Sequence, residues 1–396
     1  MERAHNDPDG RPVAAIFRSP LFHAHETFVR AHALGLGRYR PLMIGLEAHG
    51  NVPPALEGDM VIAAAGERAA LKLLGGSRSL VSRIRAYRPA LVHAHFAPDG
   101  LLALPIAEAL GVPMVTTLHG FDVGRTRARL AASGRLSWMR YGLLGRRLMS
   151  RGRLFLAVSE ALRTKAVARG FPDDRTITHY NGVDLDAFRP AERGPEPGLI
   201  LHVGRLVEKK GTHLLIRAFA EVRARRREAR LVVVGDGPLR PRLEAQAASL
   251  GLAASVSFLG SRPAADVAAW MARAWLLAAP SLTAGDGDAE GLPTVLAEAA
   301  ACGLPAIGSR HSGIPEAIVD GGTGFLVAEG AVEPLARHIA DLLAAPARRS
   351  AMGRAARALA EERFDSVRQG ARLEAHYDRL VAEQPARPDR AAADNR

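Results

Sequence analysis

Asp186-Ala-Phe-Arg-Pro190-Ala-Glu-Arg-Gly-Pro195-Glu-Pro197 separates two stretches of chain that read alike. Its prolines and glycine cannot continue a helix or a central strand, so it reads as a linker. Before it, short apolar runs at 13–17, 41–46, 60–64, 90–96, 113–118, 154–158 and 176–179 alternate with helical patterns. After it the pattern restarts, with runs at 199–203, 231–234, 255–259, 275–279, 305–308 and 324–327. Apolar runs of this length between helices mark βαβ units with parallel strands. Crossovers of that kind are right-handed and cover both sheet faces, so each half is expected to be a doubly wound α/β sheet. Ligands bind beyond the carboxyl ends of such strands, and two sheets facing each other would enclose a deep cleft.

Length agrees with that division: 396 residues, 48% of them hydrophobic, exceed one ordinary core and suit two α/β domains. The expected boundaries are 1–190 and 191–365, followed by a helix at 366–382 placed to pack back on the first domain and a disordered polar tail at 383–396. No apolar run approaches the roughly 20 residues that cross a bilayer, and residues 1–12 are polar rather than signal-like, so a cytoplasmic protein is expected. The single cysteine, Cys302, excludes an internal disulfide framework and reads as a small buried residue.

The net charge of +12 is uneven. Residues 1–193 hold 27 Lys/Arg against 17 Asp/Glu, and the remainder 26 against 24. Residues 125–153 carry nine arginines and no acid, with Trp138, Met139 and Tyr141 interleaved. A solvated helix face, an anionic membrane surface or lipid-phosphate acceptor, and nucleic acid are three readings of that segment, the last the weakest.

Two stretches carry the chemistry. In Gly285-Asp-Gly-Asp-Ala-Glu290-Gly-Leu-Pro293-Thr-Val-Leu-Ala-Glu298-Ala-Ala-Ala-Cys-Gly303 a loop runs into a helix. Pro293 suits the first helical turn and Gly303 a left-handed C-terminal cap. The amides around Gly291 and Leu292 then lie at a helix N-terminus, a ready anion site for a diphosphate. Glu290 and Glu298 flank that site, and carboxylates accept bonds from sugar and ribose hydroxyls. In Leu201-His-Val-Gly204-Arg205-Leu-Val-Glu-Lys-Lys210-Gly211-Thr212 a strand ends at Gly204 and two cations follow before a helix. Arg205 can fork onto phosphate oxygens and Lys210 adds a compact charge. Each stretch alone also fits ordinary helix-start acids and solvated cations.

Other motifs persuade less. Val234-Gly-Asp-Gly-Pro-Leu-Arg lacks the third glycine of a dinucleotide fingerprint. Asp286-Gly-Asp288 imitates a metal clamp but reads as a glycine-rich acidic loop, and no metal is expected. Histidines gather at His23, His25, His93, His95 and His119. His93 and His95 share a strand face, yet no tetrahedral zinc set assembles around them. His119 ends an apolar strand beside a glycine, where the carboxyl edge opens into the expected cleft.

Taken together these residues resemble glycosyltransferase family 4, the retaining glycosyltransferases of the GT-B fold, over nearly the whole chain. The resemblance rests on Glu290 to Glu298, on Gly204-Arg205 with Lys210-Gly211, and on His119-Gly120, Ser159-Glu160, Asn181-Gly-Val-Asp184 and Gly313-Ile-Pro-Glu316. His25-Glu-Thr-Phe28, Val92-His-Ala-His-Phe96 and Gly287-Asp-Ala-Glu-Gly-Leu-Pro293 narrow it to the exopolysaccharide or colanic-acid type. It implies an N-terminal acceptor-binding domain and a C-terminal domain for a UDP- or GDP-linked sugar, the donor substrate. Arg205 and Lys210 would hold the diphosphate, Glu298 the ribose and Glu290 the donor sugar, with His119 near the reaction centre. Gly204, Gly260, Gly291, Leu292 and Pro293 would complete the donor site, with no metal and no separate cofactor. The implied acceptor is a glycan or a polyprenyl-diphosphate-linked sugar at an anionic membrane face, and nucleic acid drops out. One departure stands out: Arg18-Ser-Pro-Leu-Phe22 replaces the family's common Gly-Gly loop after the first strand. A nucleotide-sugar epimerase of the same architecture, or a non-catalytic binding protein, would share the donor residues without transferring a sugar.

Overall fold

The computed structural model describes residues 10–22, 26–50, 52–191 and 194–384. His23, His25 and the tail from 385 onward lie outside the described residues.

Two parallel sheets form the two halves. The first has the spatial order Met60–Ile62, Arg40–Gly45, Val13–Phe17, Pro89–His95, Met114–Leu118, Leu154–Ala157 and Thr176–Thr178. The second runs Val256–Phe258, Arg230–Val234, Leu199–Val203, Leu276–Ala279, Ala306–Ser309 and Gly324–Val327. In both, the third, second and first strands in chain order are followed by the fourth, fifth and sixth, the order of a doubly wound nucleotide-binding sheet. The expected strands appear within a residue or two of their expected bounds. They are legible because helices cover both faces, so nearly every strand residue is buried and the apolar runs are unbroken. A two-residue pair, Pro20–Leu21 with Glu47–Ala48, is too short for any periodicity to reveal.

Separate cores lie in each half, around Ile44, Val92 and Ala103 in the first and Leu215, Phe219 and Ile339 in the second. A third cluster joins them: Phe155, Val158 and Leu162 pack in one apolar body with Leu292, Leu296, Ile314 and Phe364. The chain crosses between halves twice, once near Val183 and again near Asp365, and the crossings lie side by side. Val183 N–H donates to Phe364 O at 2.6 Å and Ser366 N–H to Val183 O at 3.0 Å. Gly182 is required here, because a Cβ on it would fall 2.5 Å from Ser366 Cα.

After the second crossing, Asp365 caps the helix Ser366–Ala382 by accepting from Val367 N–H at 2.8 Å. Its buried face, Gln369, Leu373, Glu374, Tyr377 and Leu380, lies against the first half. Glu374 accepts there from the backbone N–H of Arg38 at 2.6 Å and of Tyr39 at 3.2 Å.

Candidate active site

The second sheet sets its part of the site at its strand ends. Beyond Leu199–Val203, Gly204 lies beside Gly235, whose N–H donates to Gly260 O at 2.8 Å, so three glycines line up at neighbouring strand ends. Gly204 leaves room for Lys210, whose methylenes pass 3.3 Å from where a Cβ would stand. Glu208–Lys210 forms a single 3₁₀ turn, and Gly211, at φ 65°, starts the helix Thr212–Arg225. A side chain there would strike Pro280 O at 1.9 Å. The turn delivers Lys210 Nζ to 2.8 Å from Glu290 Oε1.

Glu290 belongs to the loop ahead of the helix Thr294–Ala301. Pro293 is the N-cap of that helix rather than a residue of its first turn: its ψ of 115° is extended, while its carbonyl already accepts from Leu296 N–H at 3.0 Å. Gly303 does take the left-handed cap at φ 64°, with Gly303 N–H donating to Ala300 O and Leu304 N–H to Ala299 O, both at 2.9 Å. The N–H groups of Gly291, Leu292, Thr294 and Val295 make no hydrogen bond to the described residues. Those of Thr294 and Val295 open the helix, and unpaired amides at a helix N-terminus present a positive field to an anion.

The two carboxylates differ electrostatically. Burial pushes Glu290 toward its neutral form, but Lys210, Lys209 and His311 outweigh it and hold its pKa below the usual carboxylate range. Glu298, half-buried on the helix, is raised to about 7 by burial, with Lys210 only partly offsetting the rise. One is a fixed anion; the other is poised to ionise near neutrality.

The first half contributes His119 at the end of Met114–Leu118. Its backbone meets the loop at 289–291 directly. A Cβ on Gly291 would fall 2.3 Å from His119 O, and one on Gly120 would fall 2.8 Å from Gly291 N. Buried Asp122 holds the turn by accepting from Gly120 N–H at 2.9 Å, His119 N–H at 3.2 Å and Ala97 N–H at 3.1 Å. The His119 ring lies between Phe28 and Phe96, with centroids 4.3 and 4.4 Å away. Burial, then the charge of Arg18 and the neighbouring His32, hold its pKa well below the ordinary imidazole range, so the ring is neutral. The arrangement brings Lys210, unpaired backbone amides and a buried carboxylate of one half up to the turn of the other half that carries a neutral imidazole.

The sequence and the fold are similar to those of known proteins. Residues 186–359 match the family model described as glycosyl transferases group 1, and residues 61–187 the model for glycosyltransferase family 4. The GDP-mannose-dependent alpha-(1-6)-phosphatidylinositol monomannoside mannosyltransferase of Mycolicibacterium smegmatis is 35% identical over 291 residues, covering 70% of this chain and 73% of that protein. The chain belongs to glycosyltransferase family 4. The transferase is also 32% identical to the amylovoran biosynthesis glycosyltransferase AmsK of Erwinia amylovora over 275 residues, 68% of this chain and 65% of the relative. Anabaena HepE, solved in complex with UDP, shares the GT-B fold at a TM-score of 0.75 and 23% identity, with 93% of this chain and all of that chain covered.

Within the transferase, the sequence motifs separate into two groups. Gly204, Gly260, Lys210, Glu290, Gly291, Leu292, Pro293, Glu298 and His119 gather at the cleft. Arg205 stands exposed at the same strand end, and its guanidinium has no partner among the described residues. Ser159-Glu160 and Gly313-Ile-Pro-Glu316 instead fasten the halves together. Glu316 accepts from Glu160 N–H at 2.8 Å, Ala161 N–H at 3.0 Å and Tyr180 O–H at 2.9 Å, capping a helix of the opposite half. Asp286 and Asp288 are both engaged, by Arg125 at 2.5 Å and Lys209 at 3.2 Å.

The arginine-rich segment is not one helix face. Arg125 and Arg129 grip the loop at 285–288, whereas Leu136–Arg151 is a helix whose Arg147 and Arg151 pair with Glu108 at 2.8 and 3.0 Å. Three site-shaping residues escaped sequence reasoning: Asp122, Arg18 and His32. Arg18 pairs with Glu26 at 2.6 Å and Asp99 at 2.7 Å, which anchors the loop that replaces the glycine pair. His32 brings a third imidazole to His93 and His95, with ligand-capable nitrogens all within 4.8 Å, although each ring is already hydrogen-bonded. Its spacing of four from Phe28 on one helix was the available signal.

Proposed function

We propose that the transferase moves a hexose from a UDP- or GDP-linked donor to a glycan or polyprenyl-diphosphate-linked acceptor, in the synthesis of a cell-surface polysaccharide. The observation that carries this reading is the meeting of Lys210, Glu290 and the unpaired amides of Gly291, Leu292, Thr294 and Val295 with the turn that carries His119. Arg205, Lys210 and the amides would hold the diphosphate, Glu298 the ribose hydroxyls, and Glu290 the sugar once the diphosphate draws Lys210 away. The donor would bind without a metal, because the one paired-aspartate loop near the site is committed to Arg125 and Lys209.

Retention of configuration is what the family resemblance implies, and the arrangement is compatible with it. No enzyme carboxylate need act as a nucleophile: the departing phosphate can take the acceptor proton on the face it leaves, and the protein contributes positioning and stabilisation of the developing diphosphate charge. The mannosyltransferase and amylovoran relatives, by their names, act on lipid and polysaccharide substrates, which supports the acceptor class.

The acceptor would be met at a membrane surface. No helix of the described residues is long and apolar enough to cross a membrane. The first half, however, exposes Leu136, Leu143 and Leu144 on the helix Leu136–Arg151, on one face with Arg140 and Arg147. Arg140 donates to the carbonyls of Lys72 and Leu73 at 2.6 and 3.1 Å, next to Leu73 and Leu74, which are 68% and 83% exposed. Exposed leucines among arginines suit an anionic cytoplasmic leaflet.

Screening UDP-, GDP- and ADP-sugars for thermal stabilisation, then following radiolabelled sugar into membrane lipid extracts, tests the proposal. Stabilisation with neither transfer nor slow hydrolysis would sink it, and epimerised free donor would replace it.

A further inference from the structure

An unbroken line of hydrogen bonds runs from the cleft to the C-terminal helix. His119 Nε2 lies 3.0 Å from His95 Nδ1, and His95 Nε2 lies 2.8 Å from His32 Nδ1. His32 Nε2 lies 2.9 Å from Tyr377 Oη, which is 2.5 Å from His93 Nδ1. His93 Nε2 ends the line 2.7 Å from Thr117 Oγ1. Four secondary-structure elements contribute, and Thr117, His93, His95 and Tyr377 are buried.

Proton counting gives this line a direction. A neutral imidazole has one N–H and one lone pair, so each ring must donate on one side and accept on the other. Burial keeps His32, His93, His95 and His119 neutral. The rings therefore share one polarity, and two arrangements remain. In one, His119 donates from Nε2 toward His95 and the series ends with His93 donating to Thr117, whose own hydroxyl proton is left without an acceptor among the described residues. In the other, Thr117 donates to His93 Nε2, His93 Nδ1–H to Tyr377, Tyr377 O–H to His32, His32 Nδ1–H to His95, and His95 Nδ1–H to His119 Nε2. The second leaves its one free proton on Nδ1 of half-buried His119, at the end of the line, whereas the first strands the hydroxyl proton of fully packed Thr117, and an orphaned buried hydroxyl is costly.

We infer that Tyr377 and Thr117 are positioning residues that fix His119 in its Nδ1–H tautomer, so that it offers a hydrogen-bond donor to an oxygen of the transferred sugar. The kinetic part of this inference rests on the reading of His119 as a sugar-facing residue; the tautomer does not. His119 Nδ1 makes no hydrogen bond to the described residues, which leaves its proton for a ligand.

The test is nitrogen-15 NMR of the histidine rings in the full-length protein, with the His119 signals assigned by their loss in His119→Asn. Wild type should show a protonated Nδ1 and an unprotonated Nε2 at His119. Tyr377→Phe and, independently, Thr117→Val should mix the tautomers at His119 and lower kcat by about two- to tenfold, the worth of one hydrogen bond, with donor KM unchanged. Thr117→Ser should restore both. Wild-type His119 protonated on Nε2, or His119 signals unmoved in both variants, overturns the inference. A His119→Asn variant with wild-type kcat instead removes the sugar-facing role and leaves the tautomer result to stand by itself.

Discussion

Lys210 Nζ lies 2.8 Å from Glu290 Oε1, so the cation that would meet a diphosphate and the carboxylate that would meet a sugar neutralise each other in the free site. On the proposed reading, donor binding would divide this pair. Its two members then acquire separate partners, and the desolvated charges are exchanged rather than exposed.

Removing Lys210 leaves buried Glu290 with only the support of Lys209 and His311. Lys210→Ala is expected to lower turnover by at least about tenfold, near 1.4 kcal/mol in the barrier, and to lower the melting temperature. Adding Glu290→Gln should recover part of the stability but none of the activity. A double-mutant cycle by thermal melting and donor turnover checks this; additive stability losses would refute the coupling.

Glu298 supplies a pH signature. Its folded-state pKa, about 7, lies above the ordinary value of 4.5, so the native state holds the proton more tightly than the unfolded chain. Its contribution is fully present below pH 4.5 and is lost as pH rises to about 7, a total of roughly 3 kcal/mol. The stability difference between Glu298→Gln and wild type should therefore move in the variant's favour across that window and level off above it. Glu298→Ala should lose at least about tenfold in turnover while its circular dichroism stays native.

Buried histidines give the opposite slope. Burial presses His32 and His179 down to about 3 and His202 to about 4, below the ordinary 6.5. Unfolding therefore takes up protons below pH 6.5, and stability falls as the solution is acidified, by up to about 1.4 kcal/mol per pH unit for each ring. Denaturant midpoints measured from pH 7 to 5 should show uptake of at least about two protons. A flat profile would mean the rings are not buried.

Gly291 is a steric prediction. With a Cβ placed 2.3 Å from His119 O, Gly291→Ala must push the halves apart. A loss of more than about 2 kcal/mol in stability, together with at least about tenfold in turnover, is expected. Near-normal values for both would show that the contact is dispensable.

The exposed leucines make the last prediction. Leu143→Asp with Leu144→Asp should abolish flotation with anionic liposomes and leave slow donor hydrolysis intact. Wild-type protein that fails to float whatever the lipid charge removes the membrane surface from the picture.

Both sheets were legible because burial on two faces writes each strand as an apolar run, and the donor loop because glycine, proline and acid recur at spacings a helix start requires. Arg18, His32 and Asp122 were not. Arg18 and His32 meet Asp99 and His95, 81 and 63 residues away, and Asp122 ties its own turn to Ala97, 25 residues away; local spacing hints at His32 and Asp122 but encodes none of these distant partners. Glu316 was visible but ambiguous: a conspicuous acid in a glycine-proline loop suits a ligand contact as well as the cap it forms on the opposite half.

The paired crossings at Val183 and Asp365 bear on how the cleft can move. A single connecting strand would let the halves swivel in any direction, like a ball on a cord. Two strands bonded edge to edge act as a strap with a preferred fold line, stiff to twisting and soft to bending about one axis. Any opening between the halves would then follow that fold line, and closure would return Gly291 to the same register on His119.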